Sequence, residues 1–228
     1  MTGKEDTKES RSTEPVALME SWRRDTEIQA GSFKEGNIYG DHVEDMILVM
    51  KGVLSRIDTL RKDMKKRLGT DPVDHCLARI KSDRSMREKC RRKGLPEDSN
   101  SALHLIHDAI GIRIICGFLN DVYVIRDYLA RFEDYEVIDE KDYIRHAKSN
   151  GYRSYHMILR VSGSYYVELQ LRTISMDTWA ALEHQIHYKK GRFENDRLIV
   201  SELKRCADEL ASTDVSMQTL KDMIDSVK

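Results

Sequence analysis

The sequence predicts an α+β fold: a mixed, mainly antiparallel sheet of about five strands, packed with helices and flanked by helical segments at both ends. Three observations predict it. From Val167 the chain alternates, with Val167, Leu169 and Leu171 opposing Glu168, Gln170 and Arg172, the period of two of a half-buried strand. An apolar, β-branched run from Ile110 marks a central strand. Apolar residues spaced by three and four from Val43 to Met64 mark a long amphipathic helix.

Taken in order, residues 1–14 are polar and nearly free of apolar side chains, so this tail is expected to be disordered. A helix is expected from Pro15 through Leu18, Met19 and Trp22, since proline is tolerated in a first turn. The long helix takes Asp41 as N-cap and Gly69 as stop, and its terminal RKDMKKR run suits the negative end of the helix dipole. Residues 15–70 thus form an N-terminal helical unit. The core, 71–190, opens with CLARIK (76–81), a short strand entering a helix capped by Ser82. After the strand from Ile110 come a helix from Asn120 to Phe132 with Asn120 as cap, a strand from Tyr135 to Ile138, and a loop from Asp139 to Ser149. Asn150–Gly151 is a turn signal. A hairpin turning at Gly163–Ser164 and a helix from Ile174 to Lys190 complete the core. Two helices, 194–212 and 214–227, fill a C-terminal unit over 191–228 and serve as core cover or subunit contact.

The bulk numbers narrow the function class. At 40% hydrophobic and 34% charged, with a net charge of −1, the chain of 228 residues has no global pull toward nucleic acid or membrane. No apolar run reaches the length of a membrane span, and a cytoplasmic protein is expected. Cys76, Cys90, Cys116 and Cys206 are scattered without metal-ligand spacing and read as reduced thiols.

The chemistry concentrates on strands. The period of two puts Tyr152, Ser154 and His156 on one face, and Glu168 and Gln170 on the polar face of the next strand. Taken singly, each is an ordinary solvated-face residue; together a carboxylate, an amide, an imidazole and a phenol exceed what a wet face needs. Ser85, Lys89 and Arg92 share one side of the helix after Ser82, where cations, a hydroxyl and the helix N-terminus suit a phosphate chain. Asp108 stands at the mouth of the central strand, which Arg113 interrupts. Arg79, Lys81, Ser85, Lys89, Asp108, Lys148, Tyr152, His156, Glu168 and Gln170 therefore supply polyphosphate clamps, a site for Mg²⁺, a stacking ring and a second carboxylate, the parts that phosphoryl-type transfer asks for. The His107–Asp108 pair does not make a metal phosphohydrolase, because His42, His75 and His104 stand in no such ligand arrangement. No Walker, kinase or Rossmann glycine pattern is present.

The segments RIKSDRSMREK (79–89), HDAIGIRI (107–114), KSNGYRSYH (148–156), VELQLRT (167–173) and MDTWAALEHQIHYK (176–189) resemble the RelA/SpoT-type synthetase domain, and more closely the small single-domain alarmone synthetases. The resemblance spans roughly residues 40–190. It implies a nucleotidyltransferase-like synthetase core that moves the β,γ-pyrophosphate of ATP to the 3′-hydroxyl of GTP or GDP, with Mg²⁺. By that resemblance Arg79 stacks on adenine, and Lys81, Ser85 and Lys89 hold the ATP phosphates. Asp108 is the metal ligand. Tyr152 stacks on guanine, with Lys148, Asn150, His156 and Gln170 around the acceptor, and Glu168 activates the 3′-hydroxyl or shares the metal. Ala147 and Ser149 stand where prolines are common, which implies a looser acceptor loop, and Tyr155 replaces the usual aliphatic. The resemblance also implies a homotetramer and regulation by RNA or pppGpp. Two alternatives stand beside it: a toxin-type relative acting on tRNA 3′ ends or another nucleotide acceptor, and an inactive nucleotide- or RNA-binding regulator.

Overall fold

The alternation that begins at Val167 becomes the strand on which the sheet is assembled. The computed structural model describes residues 26–29, 33–34, 36–188 and 196–227. The tail expected over 1–14 and the helix expected from Pro15 lie outside them. The strands are β1 (Thr26–Gln29), β2 (Val73–Ile80), β3 (Ile110–Cys116), β4 (Tyr135–Asp142), β5 (Tyr155–Val161) and β6 (Tyr165–Thr173). They lie in the order β1-β2-β3-β6-β5-β4. β2 is antiparallel to β3, and β5 to both β4 and β6, while β1–β2 and β3–β6 are parallel. The sheet is mixed and mainly antiparallel, as expected, with one strand more. That extra strand, TEIQ, corrects the all-helical N-terminal unit; its four residues are too few for a periodic signal.

Helices α1 (Val43–Leu68), α2 (Asp83–Lys93), α3 (Leu119–Leu129), α4 (Ile174–Tyr188) and α5 (Asp196–Asp225) surround the sheet. Met46, Met50, Val53 and Ile57 of α1 and Val122, Ile125 and Leu129 of α3 are fully buried in one core with Ile112, Ile114, Val167, Leu169 and Leu171. Each such side chain contributes about 1.5–3 kcal/mol on leaving water. The apolar face of β6 is thereby covered, and its other face is left for polar side chains. None of the helices described is long and apolar enough to cross a membrane.

Several boundaries move for identifiable reasons. Gly69 ends α1 in the left-handed region (φ 72°), its N–H donating to Lys65 O. Asp41 is not the cap: it lies in a 3-10 turn, Gly40–His42, and its side chain caps nothing. Ser82 does cap α2, accepting from Ser85 N–H at 3.4 Å. Asn120 is not a cap; Phe118 holds that position, and the Asn120 N–H donates to Gln218 Oε1 of α5 at 3.0 Å. β4 continues to Asp142 through an irregularity between Val137 and Asp139. The two C-terminal helices are one. The Ser-Thr-Asp cluster at 212–214 reads as a break, yet Thr213 Oγ1 donates back to Glu209 O (3.1 Å) and Asp214 accepts from Thr173 Oγ1 (2.6 Å).

α5 is keyed against the loop between β4 and β5. Gly151 has φ +93°, and a Cβ there would stand 2.7 Å from Ala207 Cβ and 3.2 Å from Lys204 Cα. Arg153 donates to Asp208 Oδ1 (2.8 Å) and Ala207 O (3.3 Å). Gly151→Ala must therefore shift the helix backbone as well as strain its own, and is expected to lower stability by about 1–3 kcal/mol in denaturant titrations.

Candidate active site

Register brings the polar residues of five strands into rows. Arg79 pairs with Gly111 and Gly111 with Glu168; Arg113 pairs with Gln170, Gln170 with His156, and His156 with Lys141. Gly111, lacking a side chain, leaves room between Arg79 and Glu168. The result is a cavity of about 230 Å³ lined by Leu77, Arg79, Arg113, Glu168 and Gln170.

Asp108, just before β3, lies at the same sheet end as Lys81, just after β2, and the Lys81 N–H donates to Ala109 O (2.8 Å). Lys89, from the second turn of α2, donates to Asp108 Oδ2 at 2.5 Å, and Lys81 Nζ lies 3.1 Å from the same oxygen. Burial alone would raise the Asp108 carboxyl; the Lys89 hydrogen bond and both ammonium charges outweigh it and hold it below its usual range. Its other oxygen, Oδ1, is buried with no hydrogen-bond partner. Ser85, one turn before Lys89, is exposed and accepts from Ser82 Oγ (3.0 Å).

Glu168 has the opposite electrostatics. Burial first, and then the negative charge of Asp108, raise its carboxyl above the usual range. The two acids, carried by the entrance of β3 and by β6, thus sense each other across the same face. Gln170 Nε2 donates to Glu168 Oε2 at 3.3 Å, and His156 Nδ1 lies 3.8 Å from Glu168 Oε1.

On the far side of Glu168 an aromatic wall begins. The Tyr152 hydroxyl is 2.8 Å from His156 Nε2, and Tyr143 packs edge-on against both rings. Lys148 Nζ sits 4.6 Å above the Tyr143 ring and 4.9 Å above the Tyr152 ring. Burial, then the charges of Arg172, Lys148 and Lys141, lower His156 to about 4, so the ring is neutral at pH 7.

Ser154 keeps the face of Tyr152 and His156, its Oγ lying 3.4 Å from Arg172 Nε, but it is fully buried and its Oγ donates to Leu171 O (3.3 Å). One expectation is corrected. The loop expected to be loose is tied by Tyr143 N–H to Ser154 O, Lys148 N–H to Tyr152 O and Gly151 N–H to Lys148 O. Asn150 joins that bracing, since its Oδ1 accepts from Tyr152 N–H (3.1 Å). Sequence reasoning left Arg113, Arg172, Asp177 and Tyr143 out of the site. Arg113 and Asp177 meet at 3.3 Å, and Arg172 and Asp177 at 2.9 Å. Arg113 was signalled by its place inside an apolar strand and Arg172 by sharing the period of Glu168 and Gln170; Asp177 and Tyr143 carried no signal.

A family model described as a region found in RelA / SpoT proteins matches residues 78–192. The chain belongs to the RelA/SpoT family. The matched region runs from β2 to the end of α4 and takes in every residue that lines the cavity and the aromatic wall except Leu77. Among RelA/SpoT relatives, the GTP pyrophosphokinase YwaC of Bacillus subtilis (strain 168) is 36% identical over 192 residues, covering 78% of this chain and 90% of the relative. Among solved structures, the small alarmone synthetase 1 of Bacillus subtilis bound to its product pppGpp superposes with a TM-score of 0.67 at 27% identity, covering 79% of this chain and 94% of that one. The same protein bound to AMPCPP gives 0.63 at 25% identity, with the same coverage.

Proposed function

We propose that the chain transfers the β,γ-pyrophosphate of ATP to the 3′-hydroxyl of GTP or GDP, making pppGpp or ppGpp. One observation carries this reading: Glu168 lies 3.8 Å from His156 of the aromatic wall and feels the charges of Asp108, Lys89 and Lys81, so a single carboxylate faces both halves of a two-substrate site. Family membership and the product-bound relative support it. Residues 71–190 form the transferase core in this reading.

The donor lies on the Arg79 side. Arg79 makes no ion pair among the described residues and, with Arg113 across the cavity, offers two guanidinium faces to a purine. Lys81, Lys89 and the Ser85 hydroxyl hold the phosphates as charge-assisted donors. The residues present fit Mg²⁺. Asp108 Oδ1 is an unsatisfied buried oxygen with a second acid nearby, and Mg²⁺ binds through one or two carboxylates plus phosphate oxygens. Among the described residues no three acidic, His or Cys side chains form a closed cage. Asp108 and Glu168 would hold the ion, which when bound neutralises charge on the transferring phosphoryl group.

The acceptor lies on the other side, its guanine on Tyr152 and its charged groups near Lys148. Asn150 acts there by bracing Tyr152, and His156 and Gln170 flank the ribose. Glu168 takes the 3′-hydroxyl proton as the oxygen attacks the β-phosphorus. The bond between that phosphorus and its bridge to the α-phosphate breaks, releasing AMP. A raised carboxyl suits a proton acceptor. Tyr152→Ala is expected to raise the acceptor KM roughly 5- to 150-fold through lost stacking, with the ATP KM little changed in initial-rate assays.

The deciding experiment incubates the protein with ATP, Mg²⁺ and, separately, GTP, GDP, ATP alone or tRNA. A 3′-pyrophosphorylated guanosine nucleotide is expected; labelling of tRNA or an adenine acceptor alone would sink the reading. A cytoplasmic homotetramer, regulated by RNA or pppGpp, belongs to the same proposal. Buried reduced cysteines at 76, 90 and 116 support the compartment, and the exposed Leu220, Met223 and Ile224 on α5, with Val227 just after it, support self-association.

A further inference from the structure

Arg172 is 4% exposed on the polar face of β6, and its guanidinium reaches four side chains. Nη1 donates to Asp177 Oδ1 of α4 (2.9 Å). Nη2 donates to the Tyr152 hydroxyl (2.8 Å) and to Gln170 Oε1 (3.1 Å), and Nε lies 3.4 Å from Ser154 Oγ. A guanidinium only donates, so every partner it meets must accept.

That constraint propagates. The Tyr152 oxygen receives an N–H from Arg172, which leaves its own hydrogen available to His156 Nε2, 2.8 Å away. In the neutral ring the remaining hydrogen is then on Nδ1, the nitrogen 3.8 Å from Glu168 Oε1. The Gln170 amide is fixed likewise. Its oxygen is taken by Arg172, so its NH₂ turns to Glu168 Oε2 at 3.3 Å. Both oxygens of Glu168 therefore face N–H groups whose direction originates at one buried cation. A cation serving only to pin α4 to the sheet would need Asp177 alone.

We propose that Arg172 is a positioning residue of the acceptor site, orienting the Tyr152 hydroxyl and the Gln170 amide and, through them, the hydrogen-bond donors presented to Glu168 and the acceptor ribose. This rests on the two-substrate reading above and adds to it a residue that touches neither substrate.

The test is calorimetric binding of GDP and of AMPCPP to the wild type, R172K and Y152F, with thermal melts and initial rates alongside. Lysine keeps the charge but cannot reach Asp177, Tyr152 and Gln170 together. Phenylalanine keeps the ring and removes only the relayed hydroxyl. Both variants are expected to weaken GDP binding about tenfold and leave AMPCPP binding within about twofold. If R172K fails to fold, Y152F decides. Equal loss of both ligands would assign Arg172 a scaffold role and overturn the inference, as would unaltered GDP affinity in folded R172K or in Y152F. A wild type that binds GDP yet forms no product overturns the activity reading and leaves this one standing.

Discussion

Glu168→Gln is expected to lower turnover about 10²- to 10⁴-fold while leaving the protein as stable as the wild type or slightly more so. The two halves of that result have one cause. Burial and the neighbouring charge of Asp108 raise the Glu168 carboxyl, which means that the folded state holds its ionised form less favourably than water does. In the metal-free protein at neutral pH the ionised group therefore costs stability. The cost fades as pH falls through the raised value and the group protonates. Glutamine is the same size, cannot ionise, and can still accept from Gln170 Nε2, so the cost is removed and the packing kept. Melts of wild type and variant should differ in favour of the variant at neutral pH and converge in acid. Near-wild-type turnover in a folded Glu168→Gln protein would show that another group takes the proton.

Much of this site is legible in the sequence, because strand period and register are local rules. Val167 to Arg172 reveal both their faces in six letters, and a central β3 follows from its isoleucines. Arg79, Lys81, Lys89, Asp108, Tyr152, His156, Glu168 and Gln170 do meet on one face. What escaped were features fixed by long-range packing. β1 exists because a four-residue segment finds the open edge of β2, which no window of local sequence encodes. Asp177 enters the site because α4 leaves β6 at an angle that returns its first turn to Arg113 and Arg172. Arg172 illustrates the limit best. Its period placed it on the right face, but the sequence cannot say that the sheet would bury it and give it four partners. Asn150, expected near the acceptor, is spent on the turn that presents Tyr152, a role its Asn-Gly context already allowed.

Asp108→Asn is expected to lose turnover by a similar factor but to differ from Glu168→Gln in every other respect. Asp108 is held below the usual carboxylate range despite its burial, because Lys89 hydrogen-bonds it and Lys81 and Lys89 surround it with charge. Its ionised form is favoured by folding. That contribution is present above the unfolded carboxylate range and is lost as pH falls through the lowered folded value, the reverse of Glu168. Asparagine can accept one hydrogen bond but cannot balance two ammonium groups whose side chains are 16% and 21% exposed. A loss of about 1–3 kcal/mol follows, a melting shift of several degrees that the Glu168 variant lacks. The two lysines are also released from the carboxylate that restrains them. In EDTA, ATP should therefore bind Asp108→Asn at least as tightly as it binds the wild type, while the Mg²⁺ concentration needed for half-maximal rate rises by about tenfold or more. Weaker metal-free ATP binding with an unchanged Mg²⁺ requirement would instead make Asp108 an organiser of the two lysines, and the unpartnered Oδ1 would have to be explained by something other than a cation.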